Sequence, residues 1–110
     1  MEFRTTLLED NIAAISGEGR LNMVSAAALR EAVGEVITQD RIRVVVDLSG
    51  IEFMDSSGLG ALIGCLKTAR QAGGDLRIAA PSKQVTMVLQ LSNLDRVLKS
   101  YDSAEVAYRD

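Results

Sequence analysis

One stretch of the chain gathers residue types that can do chemistry: Phe53-Met54-Asp55-Ser56-Ser57-Gly58-Leu59-Gly60. A carboxylate and two hydroxyls stand where apolar periodicity places the first turn of a helix. Backbone N–H groups there lack intrahelical partners, and the positive end of the helix field favours an anion such as a phosphate. Gly58 and Gly60 carry no side chain, so a second backbone or a partner can come close. The same residues also suit an ordinary helix start, in which Asp55 or Ser56 caps the helix while Gly60 and Gly64, one turn apart, admit tight packing. Enzyme chemistry fits them poorly. The spacing Gly58-x-Gly60 followed by Gly64 departs from the dinucleotide fingerprint, and no Walker sequence exists. A serine nucleophile needs a base, and the chain contains no His.

The absence of His and the single Cys exclude a His–Cys zinc site, a His-based triad and an intramolecular disulfide. Twelve basic residues against fifteen acidic give a net charge of −3, with no Lys/Arg run, which argues against nucleic acid as a partner. Phe3, Phe53, Tyr101 and Tyr108 are scattered and build no base-stacking platform. Met1-Glu2-Phe3-Arg4 is not the start of a signal peptide. The longest apolar run, Leu59 to Leu66, is far short of a membrane span. A cytoplasmic, reducing setting without membrane insertion is therefore expected.

The elements that must position residues 53–60 follow from the pattern along the chain. The 110 residues are expected to form a single domain over 1–110, with about 6,000 Å² of surface when folded. Residues 3–8 and 12–17 are half-apolar stretches separated by Glu9-Asp10-Asn11, the signature of a β-hairpin. Gly17 to Asn22 reads as a loop. Leu29, Val33, Val36 and Ile37 share one helical face, with Ser25 as the expected N-cap and an end near Asp40. Val44 to Leu48 suits a central strand covered on both faces, and Ser49 to Asp55 reads as a second loop. Leu59, Leu62, Ile63, Leu66 and Ala69 trace another helix, closed by Gly73-Gly74. Leu76 to Ala80 is a third inner strand ending at Pro81. Ser82 caps a short helix carrying Val85, Val88 and Leu89, which stops near Ser92-Asn93. Residues 97–101 suit an edge strand, and residues 102–110 one helical turn or a frayed tail. Strands alternating with helices imply right-handed crossovers and an α/β fold on a mixed sheet with a mostly parallel centre. Sites in such folds gather at the carboxyl ends of strands, here the loops 49–55 and 80–82.

Other residues carry weaker signals. Asp47 ends a strand where response regulators hold a phospho-acceptor, but the acidic cluster and Lys that this chemistry requires are missing, so Asp47 is read as closing the sheet edge. Cys65 reads as a small core residue and Lys83 as a solvated charge. Met23 and Met54, both expected in loops, could touch a partner.

Met-Asp-Ser-Ser-Gly-Leu-Gly after a Val-rich strand resembles the signature of the STAS domain, specifically the bacterial anti-sigma factor antagonists. Gly19-Arg20-Leu21-Asn22 resembles the family's Gly-x-Leu-Asp loop, Ala72-Gly73-Gly74 its helix end, and Leu91-Ser92-Asn93-Leu94 its Leu-Thr-Gly-Leu segment. The resemblance is strongest over residues 10–102. It implies a STAS-type domain with a mixed sheet of four to five strands and crossover helices mainly on one face.

The resemblance further implies a partner-switching protein without cofactor, metal or catalytic residues of its own. Family members bind an anti-sigma factor that is also a serine-protein kinase of the histidine-kinase-like ATPase type. That kinase phosphorylates the serine after the Asp, and a metal-dependent serine phosphatase reverses the step. By position the serine is Ser56, with Ser57 as runner-up. Asp55, Ser56, Ser57, Gly58, Leu59 and Gly60, with Leu21, Asn22 and Met23, become the expected partner-binding residues. Asn22 stands where the family carries Asp, and Arg20 where an acidic residue is common, so the contacts of that loop depart from the family pattern. The competing reading is a stand-alone STAS subunit of a transporter, such as a lipid-transport ABC system, which needs no phospho-acceptor.

Overall fold

A computed structural model describes residues 2–109 of the chain. The hairpin forms as expected. Strands β1 (Arg4–Leu7) and β2 (Ile12–Ser16) pair antiparallel around a turn in which Asp10 and Asn11 take left-handed φ values of 59° and 60°. Short polar side chains tolerate that conformation better than others. Then follow β3 (Gly19–Leu21), α1 (Met23–Thr38), β4 (Arg43–Asp47), β5 (Ile51–Met54), α2 (Ser56–Gln71), β6 (Asp75–Ala79), α3 (Lys83–Leu91) and β7 (Ser100–Tyr101).

The main sheet has five strands in the order β1-β2-β4-β6-β7, parallel except for β1. Its register aligns Ala13, Val44 and Leu76, and two residues later Ile15, Val46 and Ile78. These six side chains point to one face and are buried with Leu29 and Val33 of α1, Leu62 and Leu66 of α2, and Val85 and Leu89 of α3. Removing that apolar surface from water is the main force holding the three helices to the sheet. The accessible surface is 6206 Å², close to the value expected from chain length.

Two expected loops are strands. Residues 17–22 and 49–55 contain β3 and β5, which pair parallel with each other in a separate two-stranded ladder. Their pairing joins segments some thirty residues apart and satisfies backbone groups that no local pattern announces. Leu21, Ile51 and Met54 are buried in the process, so Met54 is a core residue and is not available to a partner. The expected edge strand at 97–101 is reduced to Ser100 and Tyr101, while Leu98 turns into the core.

Up to Arg109 the last segment takes the helical turn of the two expected readings and not the frayed tail. A single 3-10 turn, Ala104–Val106, packs on the sheet face opposite the three helices, where Ala14, Val45, Ala79, Ala104 and Ala107 are buried together. The Arg77 guanidinium lies 4.4 Å from the centre of the Tyr108 ring and donates to the Ala107 carbonyl at 2.7 Å. The Tyr108 hydroxyl sits 2.7 Å from the Val44 carbonyl oxygen and 3.0 Å from that of Asp75. Burial, with the nearby Asp75 carboxylate adding to it, holds this phenol well above the ordinary tyrosine range. Among the described residues, no helix is long and apolar enough to cross a membrane.

Candidate functional site

Both strands of the small ladder run directly into helices. Leu21 is the register partner of Met54, so the residues that follow them, Asn22 and Asp55, come side by side as the N-caps of α1 and α2. The Asp55 N–H donates to the Leu21 carbonyl at 3.2 Å and ties the two caps together. Two helix N-termini, each with outward N–H groups and a partial positive charge, therefore open on the same corner.

Asn22, not Ser25, caps α1. The Asn22 side-chain oxygen accepts from Val24 N–H at 3.0 Å and from Ser25 N–H at 3.2 Å. Ser25 takes the reciprocal place in the capping box: its hydroxyl accepts from the Asn22 N–H at 2.9 Å and donates to the Arg20 carbonyl at 2.8 Å. That inward role explains why Ser25 is buried among apolar neighbours. Substituting Asn22→Ala removes an acceptor from two N–H groups and is expected to lower stability by about 1 kcal/mol. Asn22→Asp keeps the acceptor and adds a charge that the helix end favours and the neighbouring Asp55 carboxylate opposes, so it should change stability by less than about 0.5 kcal/mol. Urea unfolding of both variants checks the pair.

At α2, Asp55 is the cap, with its carboxylate accepting from Gly58 N–H at 2.9 Å. Ser56, the first helical residue, is exposed, and Ser57 is half-buried. Gly58 is buried because the Leu21 carbonyl oxygen occupies the space a Cβ would fill. Leu21 and Gly58 are thus interior residues that set the spacing of the corner, and neither offers a side chain to a partner. Leu59 packs partly against the core. A methyl group added at Gly60 or Gly64 would meet nothing within 4 Å, so neither glycine lies on a packed seam and the tight packing expected of them does not occur.

The surface around Ser56 is partly apolar. Met23 is 74% exposed and Val24 80%, both in the first turn of α1, and Phe53 is 41% exposed on β5. The Arg20 guanidinium lies 5.8 Å from the Phe53 ring centre, so the cation at the place of the usual acidic residue rests on an aromatic face. Of the sequence-derived residues, Asn22, Met23, Asp55, Ser56, Ser57, Leu59 and Gly60 gather at this corner. Cys65 lies away in the core, where burial pushes its thiol up to about 11, out of the range of easy reaction. Asp47 accepts from Ser49 N–H at 3.0 Å and holds the turn after β4. Lys83 is exposed.

One residue at the corner carries no sequence signal. Gln84, in the first turn of α3, accepts from the Met54 N–H through its side-chain oxygen at 2.8 Å. Its amide nitrogen donates to the Met54 carbonyl at 3.0 Å. A glutamine between a helix cap and an apolar stripe reads as solvated surface, and only the fold brings it to β5.

The profile described as the STAS domain matches residues 6–107. An anti-sigma F factor antagonist of Paenibacillus polymyxa is 31% identical over 93 residues, which are 84% of this chain and 78% of that one. The crystal structure of an anti-sigma factor antagonist from Mycobacterium paratuberculosis superposes with a TM-score of 0.81 at 28% identity, covering 99% of this chain and 96% of the other. SpoIIAA of Bacillus in its phosphorylated form shares the fold, with a TM-score of 0.74 at 22% identity over 97% of each chain.

Proposed function

Because the chain belongs to the STAS domain family, a match that spans residues 6–107, we propose that it is an anti-sigma factor antagonist whose docking is switched by phosphorylation of Ser56. The observation that carries the reading is the corner itself. An exposed hydroxyl on the first helical residue of α2 stands beside a second helix N-terminus, within a surface bearing exposed Met23, Val24 and Phe53. The apolar residues supply area for a partner, and the serine supplies a place where charge can be added and removed. The partner proposed is an anti-sigma factor that is itself a serine kinase of the histidine-kinase-like ATPase type, with a metal-dependent phosphatase returning the serine to its free form. Relatives named as anti-sigma factor antagonists, and a phosphorylated structure of one protein of the same fold, are consistent with this cycle.

The switch follows from electrostatics. A phosphoserine brings about −1.5 to −2 charges and three acceptor oxygens. Two adjacent helix ends accommodate that charge within the free protein. In a docked complex the same group is desolvated against the partner, where an unpaired charge is costly. Single-residue phosphosite mapping of the chain isolated from its host tests the assignment. The expected result is phosphate on Ser56, the exposed hydroxyl. Phosphate on Ser57 alone would move the switch to the half-buried neighbour, and a chain never phosphorylated on either would remove it.

A further inference from the structure

We infer that Gln84 is a positioning residue that clamps the end of β5 and so sets how Ser56 is presented; this rests on the reading of Ser56 as the phosphorylated residue. In the parallel ladder β3 bonds one edge of β5, through contacts such as Asp55 N–H to Leu21 carbonyl. Met54 turns its own N–H and carbonyl to the other edge, where among the described residues no third strand of the ladder lies. Gln84 fills that place. Its side-chain amide has the donor and acceptor of a peptide group, and it makes both bonds a neighbouring strand would make, at 2.8 and 3.0 Å. Met54 is thereby held from the α3 side and Asp55 from the α1 side, in the two residues before Ser56. The base of the clamp is firm: Ser82 caps α3 by accepting from Val85 N–H at 3.2 Å, and Ala80 N–H donates to the Tyr101 carbonyl at 2.8 Å.

Two substitutions separate hydrogen bonding from volume. Gln84→Met keeps the length and bulk of the side chain and loses both bonds. Gln84→Glu keeps an acceptor for the Met54 N–H and loses the donor. Native-state amide hydrogen exchange is read residue by residue. In Gln84→Met the Met54 amide should exchange about tenfold faster or more, the size expected for losing a hydrogen bond or two. Asp55 and Gly58 should follow, while Val45 and Val46 in the centre of the sheet stay unchanged. Gln84→Glu, which keeps the acceptor but sets a carboxylate oxygen against the Met54 carbonyl, should lie between wild type and Gln84→Met at Met54. Unchanged exchange at Met54 in Gln84→Met overturns the clamp, as does an equal rise at every amide, which would mean a purely global loss of stability.

The functional arm incubates each variant in host lysate with radiolabelled ATP, with Ser56→Ala as control, and follows the initial rate against concentration of the chain. Because the exposed apolar residues of the corner are untouched, the half-saturating concentration should hold while the maximal rate in Gln84→Met falls about tenfold, with partial recovery in Gln84→Glu. Equal maximal rates for wild type and Gln84→Met overturn the positioning role. Label that persists in Ser56→Ala, or none on the wild type, contradicts the reading of Ser56 instead, and the exchange results then decide the clamp by themselves.

Discussion

Ser56→Asp is expected to weaken partner binding about a thousandfold while the folded chain melts within a few degrees of the wild type. The two halves have different physical origins. Ser56 is exposed at the first position of α2, so an added carboxylate displaces no packing. The helix end favours it by roughly 0.3–1 kcal/mol, and screened repulsion from the adjacent Asp55 carboxylate offsets part of that, so the fold gains or loses little. In the complex proposed above the added charge leaves water, and the switch requires that it find no compensating partner there. A loss of about 4 kcal/mol lies within what an uncompensated buried charge costs, and it equals a thousandfold in affinity. Ser56→Ala should bind as the wild type does, because it adds no charge. Calorimetric melting and titration of the partner check both halves, and a collapse of the melting temperature in Ser56→Asp would defeat this form of the mechanism.

Gly58→Val is expected to be the most damaging substitution at the corner, through the backbone and not through charge. Even the first carbon added at Gly58 meets the Leu21 carbonyl oxygen and comes within 2.8 Å of Leu21 Cγ. Helix propensity alone favours Ala over Gly by about 1 kcal/mol. The overlap outweighs that gain, because overpacking against a rigid backbone costs about 1–3 kcal/mol or more. Separating α2 from Leu21 also strains the bond from Asp55 N–H to the Leu21 carbonyl. A net destabilisation of up to about 2 kcal/mol is expected for Gly58→Ala, and more for Gly58→Val with its branched side chain. Gly60→Ala is the contrasting case: two residues on in the same helix, with nothing within 4 Å, it should gain up to about 1 kcal/mol. Urea unfolding distinguishes the two glycines, and equal effects at both would mean that contact with Leu21 does not set the position of α2.

The parts of the fold written in local pattern were legible from the residues. Half-apolar stretches and turn chemistry marked the hairpin, and helical periodicity marked Leu29-Val33-Val36 and Leu62-Leu66-Ala69. The β-branched run at 44–46 marked the centre of the sheet. What escaped depends on partners distant in the chain. β3 and β5 have three and four residues, carry exposed Arg20, Glu52 and Phe53, and exist because they pair with each other. Ser25 looked like a cap because its hydroxyl suits one, but Asn22 reaches two N–H groups and leaves Ser25 to close the box from inside. The terminal segment left a helical turn and a frayed tail both open, and only the sheet face beneath it makes the turn, with Ala104, Ala107 and Tyr108, an anchor. Asp55 and Ser56 stood out as a capped helix start; their functional meaning came from likeness to a family, since capping alone accounts for the same residues.

Capture from host lysate, with the wild-type chain and Ser56→Asp as paired baits, asks whether charge at Ser56 controls docking. The wild type alone should retain a histidine-kinase-like ATPase, because the added charge blocks docking without unfolding the bait. Retention of the same permease or transport-ATPase subunits by both baits would contradict it, and the chain would then be a transporter subunit to which charge at Ser56 is indifferent.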